Sequence, residues 1–198
     1  MFIQIIQGKC TRQDECRDMG ERWQRDLAPG ADGWLGGTYG FTDDSDFMAI
    51  VRFESRDAAA VNAARPEQGA WWADMEALFD GPVEFHDCDD VTLLMGGGSD
   101  DAGFVQVIRG TVQDPTTLKA MLADTSQLHE MRPEIIGGTL AIEADGTFTE
   151  TVAFSDEQSA RRGEQTAMPD DVRRAMESAI RDVSYVDLHH PWFTSAPV

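Results

Sequence analysis

The chain opens on "FIQIIQ", Phe2–Gln7, a run of β-branched and aromatic residues that predicts a strand. Alternation sends Ile3 and Ile5 to one side and Phe2 and Ile6 to the other. Both sides are therefore apolar, whereas a strand with one wet face alternates apolar with polar. Thr11 can cap a helix whose stripe, Cys16, Met19, Trp23 and Leu27, follows helical spacing, and "APGADG" ends it. Two further strands are expected over 33–41 and 47–53, joined by the polar turn "TDDSD". Ser55 can cap a second helix. Pro66 suits the first turn of a continuation ending near Phe79, and Val83–Cys88 reads as a last strand.

The pattern then returns. "FIQIIQGKC" at Phe2–Cys10 reappears as "FVQVIRGTV" at Phe104–Val112, and "WLGGTYGF" at Trp34–Phe41 as "IIGGTLAI" at Ile135–Ile142. "FMAIVRF" at Phe47–Phe53 answers to "FTETVAF" at Phe148–Phe154. "MEALFDGPVEFHD" at Met75–Asp87 answers to "MESAIRDVSYVD" at Met176–Asp187. Order is kept and the offset stays between 100 and 102 residues, the mark of an internal duplication. "EADGT" in the second half carries an Asp-Gly hairpin signal. The reading is repeat 1 over residues 1–95, a Gly/Ser/Asp-rich linker over 96–103, and repeat 2 over 104–198.

Each half reads β-α-β-β-α-β, the ferredoxin-like unit, so the fold class is α+β with two tandem units. Such a unit has a four-stranded antiparallel sheet with helices on one face. The doubly apolar first strands imply that the two sheets face each other and cover their open sides.

On this repeated order, and on the broken second helix "AAAVNAARPEQGAWWADM" leading into "LFDGPVEF", the chain resembles the dimeric α/β-barrel superfamily and within it the antibiotic-biosynthesis-monooxygenase-like group. Members usually pair two chains; this one looks as if it fuses both halves. The resemblance implies a range of activities: cofactor-independent oxygenation, haem degradation, isomerisation of small acids, or none. Haem-degrading members pair an Asn on the first strand with a Trp and a His around the second helix. Here Asn62 and Trp72 fall near those Trp and His places, and Gln4 or Gln7 stands in for the Asn. The resemblance therefore implies no haem ligand set, and no cofactor is expected.

Composition narrows the partners. Of 198 residues, 36 are acidic and 16 basic, a formal net charge of −20. That excludes the basic surface on which nucleic-acid binding rests and opposes anionic membranes. No apolar run reaches the length of a membrane helix, and "MFIQIIQG" lacks the basic start of a signal peptide, so a cytoplasmic location is expected. Only Lys9 and Lys119 are lysines, which with abundant Ala, Gly and Asp points to a GC-rich bacterial source. Cys10, Cys16 and Cys88 form neither a disulfide framework nor a zinc pair.

Candidate chemistry comes from places where the halves disagree. Trp71 aligns with Val172, a core position. Trp72 aligns with Arg173, so it is a surplus aromatic that either patches a contact or lines a pocket with its N–H. Gln4 and Gln106 stand at the same place on the two first strands, each flanked by Phe and Ile on its own face. Such an amide either bonds within the fold or serves as a polar handle in a cavity. Glu84, His86 and Cys88 share a face of the last strand where the second half has Ser184, Val186 and Leu188. His86 beside a carboxylate could act as a base. Arg52 replaces Ala153 and could pair with an acidic ligand or with Glu84. "HHPW" at 189–192 reads as a tail packing its Trp.

The expected function is binding of a small apolar or aromatic molecule, with cofactor-free monooxygenation as the possible reaction. Gln4, Arg52, Trp72 and His86 would line a pocket in the first half, with Gln106 as its counterpart in the second. His86 would take the proton and Gln4 would hold the oxyanion. The alternatives are a filled, non-enzymatic scaffold or stress-related binding protein, and a haem protein. Both a pseudo-dimeric monomer and a homodimer are compatible with the pattern.

Overall fold

The computed structural model describes residues 1–123, 128–130 and 132–196. The chain divides into two compact units. The first takes residues 1–89 and the strand that begins at Trp192; the second runs Asp90–Pro191.

In the first unit, β1 (Phe2–Lys9), α1 (Gln13–Asp26), β2 (Trp34–Phe41), β3 (Asp46–Phe53), α2 (Arg56–Ala63), α3 (Pro66–Glu76) and β4 (Glu84–Cys88) follow the expected order. The second unit begins with β5 (Asp90–Leu94). It continues through β6 (Phe104–Val112), α4 (Pro115–Ala123), β7 (Ile135–Ile142), β8 (Thr147–Phe154), α5 (Glu157–Glu164), α6 (Asp170–Ala179) and β9 (Ile180–Leu188). The last strand, β10 (Trp192–Ser195), returns to the first unit.

The sheets hold five strands each, not the four expected from the pattern. Their orders are β10-β2-β3-β1-β4 and β5-β7-β8-β6-β9, and every pairing is antiparallel. The fifth strand is added at the same edge in both: β10 pairs with β2, and β5 with β7. At five and four residues these strands are too short to show a period of their own. Their arrival explains the first glycine of each repeated "GG". Gly36 adopts φ +143°, and a Cβ there would sit 2.5 Å from the carbonyl oxygen of Thr194 on β10. Gly137 is equally blocked, by the carbonyl of Gly97 just beyond β5. Both positions carry a register shift, between Trp34 and Gly36 and between Ile135 and Gly137, so the bulge belongs to the duplicated design.

The helix stripe of α1 is as read: Cys16 and Trp23 are buried. Its cap is not. Arg12 precedes the first turn without a side-chain cap bond, and the Thr11 backbone N–H instead donates to Asp80 Oδ2 at 2.8 Å. That bond holds the Asp80 carboxyl below the usual carboxylate range. Ser55 does cap α2, accepting from the Ala58 N–H at 3.1 Å, and Pro66 stands at the start of α3. All three cysteines are buried thiols.

In each unit the helices cover one sheet face, and the core lies between. In the first it gathers Phe2, Trp23, Trp34 and Phe53 in one cluster and Cys16, Phe47, Met75 and Phe79 in another. In the second, Phe104, Val152 and Phe154 match the former, and Leu118, Leu140 and Phe148 the latter. Burying each such side chain contributes roughly 1.5–3 kcal/mol.

Candidate functional site

Strand parity decides what can meet on the helix side of the first sheet. Gln4 opposes Val51 and Asp87, and Ile6 opposes Ala49 and Phe85. These side chains point towards α1, α2 and α3. Between them lies a half-open cavity of about 320 Å³, within the range of small-molecule sites, roughly 300–1,000 Å³. Small residues make the room: Gly20 on α1, Ala49 on β3, Ala59 and Ala63 on α2, and Gly69 on α3 all line it.

Aromatic rings make the walls, and hydrogen bonds or stacking fix most of them. Trp23 donates from Nε1 to Gln68 Oε1 at 2.6 Å and meets Trp71 at 6.4 Å. Trp71 donates to the Met19 carbonyl at 2.9 Å. Tyr39 stacks on Trp192 with ring centroids 5.6 Å apart, and its hydroxyl accepts from Thr194 Oγ1 at 3.2 Å. Trp72 packs its ring against the Phe85 edge at 5.2 Å, while its own N–H makes no hydrogen bond among the described residues. The site is thus largely pre-formed, which spares a ligand the cost of ordering side chains.

The cavity is neutral in character. Burial raises the Tyr39 phenol above its ordinary value, so it stays protonated. Burial and the neighbouring Cys10 push the Cys16 thiol far up, and its Sγ rests 3.8 Å from Met75 Sδ. A thiol so placed is an inert core group, not a nucleophile. Among the described lining residues there is no Lys, Arg or His, and Glu21 is the one acid.

The expected site residues separate accordingly. Gln4 and Trp72 both line the cavity. Arg52 and His86 do not, because Arg52 opposes Ile3 and His86 opposes Ile5, one residue out of phase with Gln4 and Ile6. A shift of one residue moves a side chain to the other face of the sheet. There Arg52 donates to Thr38 Oγ1 at 3.4 Å, and His86 Nε2 lies 3.6 Å from Glu84 Oε2. Gln106 occupies the matching helix-side place in the second unit, donating to Asp187 at 3.1 Å and Glu164 at 3.2 Å. A pocket joining Gln4, Arg52, Trp72 and His86 is therefore not formed on the helix side. The His86 role as proton acceptor for a ligand held there falls with it.

Tyr39, Ala63 and Trp192 line the cavity without having been singled out. Alternation in "WFTS" does put Trp192 and Thr194 on one face, but nothing local says which sheet they join.

The described residues around this cavity do not fit haem. No described lining residue offers an imidazole to iron, and the two sulfurs, Cys16 and Met75, are turned on each other. Among the described residues, no cluster of three or more metal-ligating side chains occurs, and no helix is long and apolar enough to cross a membrane.

No protein-family model matches the sequence, and no curated protein matches it. Solved structures do. The chain is similar to a candidate monooxygenase from Lactobacillus acidophilus, with TM-score 0.74 and 13% identity over 99% of this chain and 97% of that one. It is similar to a second candidate monooxygenase, from Fusobacterium nucleatum, with TM-score 0.75 and 10% identity over 98% and 94%. An anthrone oxidase-like protein gives 0.69 and 12% over 100% and 94%. At such identities the likeness is one of fold. The chain shares the fold of these structures over nearly its whole length, with two five-stranded antiparallel sheets in tandem.

Proposed function

We propose that the first unit binds a small, flat, uncharged aromatic molecule in its helix-side cavity, and that the chain acts on it as a monooxygenase. The observation that carries this reading is the cavity itself: about 320 Å³, walled by fixed aromatic rings, with a few polar groups turned inward. The reading invokes no resident cofactor. In a substrate whose methylene is activated by a conjugated aromatic ketone, that methylene supplies all four electrons that reduce O2. Its CH2 becomes C=O, one oxygen atom of O2 enters the product, and the other leaves as water with the two hydrogens. The chain's part is to hold the ring and exclude water. The names of the similar structures support the reaction class.

Anthrone, whose enol tautomer carries a phenolic hydroxyl, is a suitable probe, since its oxidation to anthraquinone consumes one O2 and releases one water. Oxygen uptake and quinone absorbance should rise with protein concentration. Trp72→Arg, which installs the residue of the second unit, should weaken binding by about ten-fold, or 1.4 kcal/mol. Failure of any flat aromatic probe to bind in equilibrium dialysis would end the reading. The lack of a histidine or lysine among the described lining favours a second reading, binding without turnover, which the same assay separates: a bound probe with no oxygen uptake.

A further inference from the structure

Both units build the same polar relay on the same frame. In the first, Gln4 Nε2 donates to Asp87 Oδ1 at 2.9 Å, Arg56 Nη1 donates to Asp87 Oδ2 at 2.8 Å, and the guanidinium lies over the Phe2 ring at 4.8 Å. In the second, Gln106 Nε2 donates to Asp187, Arg161 holds that carboxylate, and its guanidinium lies over the Phe104 ring at 5.2 Å. The arginines come from different turns of their helices, so the construction is reached twice by different routes.

The units differ at one neighbour. Ala63 and Glu164 are the last residues of the equivalent eight-residue helices α2 and α5. Glu164 Oε1 accepts from Gln106 Nε2 at 3.2 Å and closes the second relay. Ala63 has nothing to offer Gln4, and both residues line the cavity.

A carboxylate only accepts hydrogen bonds, and an amide donates only from nitrogen. Asp87, paired with Arg56, therefore dictates which end of the Gln4 amide faces it. The nitrogen is committed to Asp87. The oxygen makes no hydrogen bond among the described residues. We infer that Gln4 is locked as a hydrogen-bond acceptor in the cavity, that Asp87 and Arg56 are the positioning residues that lock it, and that the site selects aromatic ligands carrying a hydrogen-bond donor, a phenolic hydroxyl or ring N–H. This rests on the cavity binding a neutral aromatic. It also reverses the oxyanion role expected for Gln4: an acceptor oxygen holds a hydroxyl and repels a phenolate.

The test compares 1-naphthol with 1-methylnaphthalene, which replaces the hydroxyl by a methyl of similar size, by equilibrium dialysis on the full chain. The quantity read is the ratio of the two Kd values, which cancels general effects on folding. The wild-type ratio should favour naphthol by about ten-fold relative to that of Gln4→Leu. Asp87→Asn can accept as well as donate and frees the Gln4 amide to turn. It should cut the preference to about three-fold or less, and improve binding of the acceptor-only 1,4-naphthoquinone. Asp87→Glu should restore the naphthol preference. Equal ratios in wild type and Gln4→Leu overturn the inference while leaving the cavity reading intact. So does a full preference retained in Asp87→Asn. Binding of neither probe overturns the cavity reading, and this inference with it.

Discussion

Ala49, Ala63 and Trp72 in the first unit stand where the second unit has Glu150, Glu164 and Arg173. Both units lay the same rows of side chains between sheet and helices. In the first, two small residues withdraw and a large ring moves to the edge. In the second, a carboxyl enters from the sheet, another from the helix, and the ring is replaced by an exposed arginine paired with Asp170 and Glu177. The fifth strands add to the contrast, since Trp192 opposes Tyr39 where Thr92 opposes Leu140. Duplication leaves one copy able to carry the frame, and the substitutions that open a cavity collect in the other. The shared residues, from Phe2 and Phe104 to the paired Gln–Asp–Arg relays, belong to the frame.

If that contrast explains the cavity, making the first unit resemble the second should destroy it. Ala63→Glu should have the largest effect, lowering affinity for 1-methylnaphthalene by about 100-fold, or 2.7 kcal/mol. The new side chain occupies the space itself, and in the second unit the same residue reaches the matching amide. Equilibrium dialysis reads the affinity, and circular dichroism checks that the variant is folded. Undiminished binding would mean that the ligand lies elsewhere.

Glu150 offers a converse test, on stability. It lies on β8 between Phe148 and Val152 and opposes Ile108 and Leu140, so its neighbours on that face are apolar. Burial raises its carboxyl from the ordinary value to about 7. An acid whose folded-state pKa is raised favours the folded chain below the unfolded value. That contribution fades as pH rises towards 7 and is gone above it. Glu150→Gln, which cannot ionise, should therefore stabilise the chain at pH 8 by about 2 kcal/mol and by little at pH 4. Urea unfolding at the two pH values measures it. An equal effect at both would show that Glu150 does not titrate across the interval.

Much of this was legible in the sequence because periodicity and repetition act together. The duplicated strands fixed the two frames, and aligning the halves marked Gln4, Gln106 and Trp72 without any structure. Arg52 and His86 show the limit. Parity places His86 opposite Gln4's face once the register is known, but pairing with β1 sets that register, and it is non-local. Ala63 shows another limit: an alanine carries no chemical signal, and its meaning appears only beside Glu164. Trp192 lies more than 150 residues along the chain from Tyr39, the ring it stacks on.

The smallest effect concerns the caps of α2 and α5, where the units solve one problem with different chemistry. Ser55 Oγ accepts from the Ala58 N–H at 3.1 Å, and Asp156 Oδ1 accepts from the Ser159 N–H at 2.7 Å. Loss of the Ser55 cap in Ser55→Ala should cost about 1 kcal/mol, and the cost should not change with pH because the hydroxyl does not titrate. Asp156 is different. The Ser159 hydroxyl, followed by its backbone N–H, holds the carboxyl below the usual carboxylate range. A depressed folded-state pKa gives stability that is present above the unfolded value and lost as pH falls through the folded one. The cost of Asp156→Ala should accordingly shrink between neutral pH and about pH 3.5, while that of Ser55→Ala holds steady. Unfolding curves for the two variants at both pH values decide the matter. A pH-independent cost at Asp156 would show that its carboxylate does not act as a charged cap.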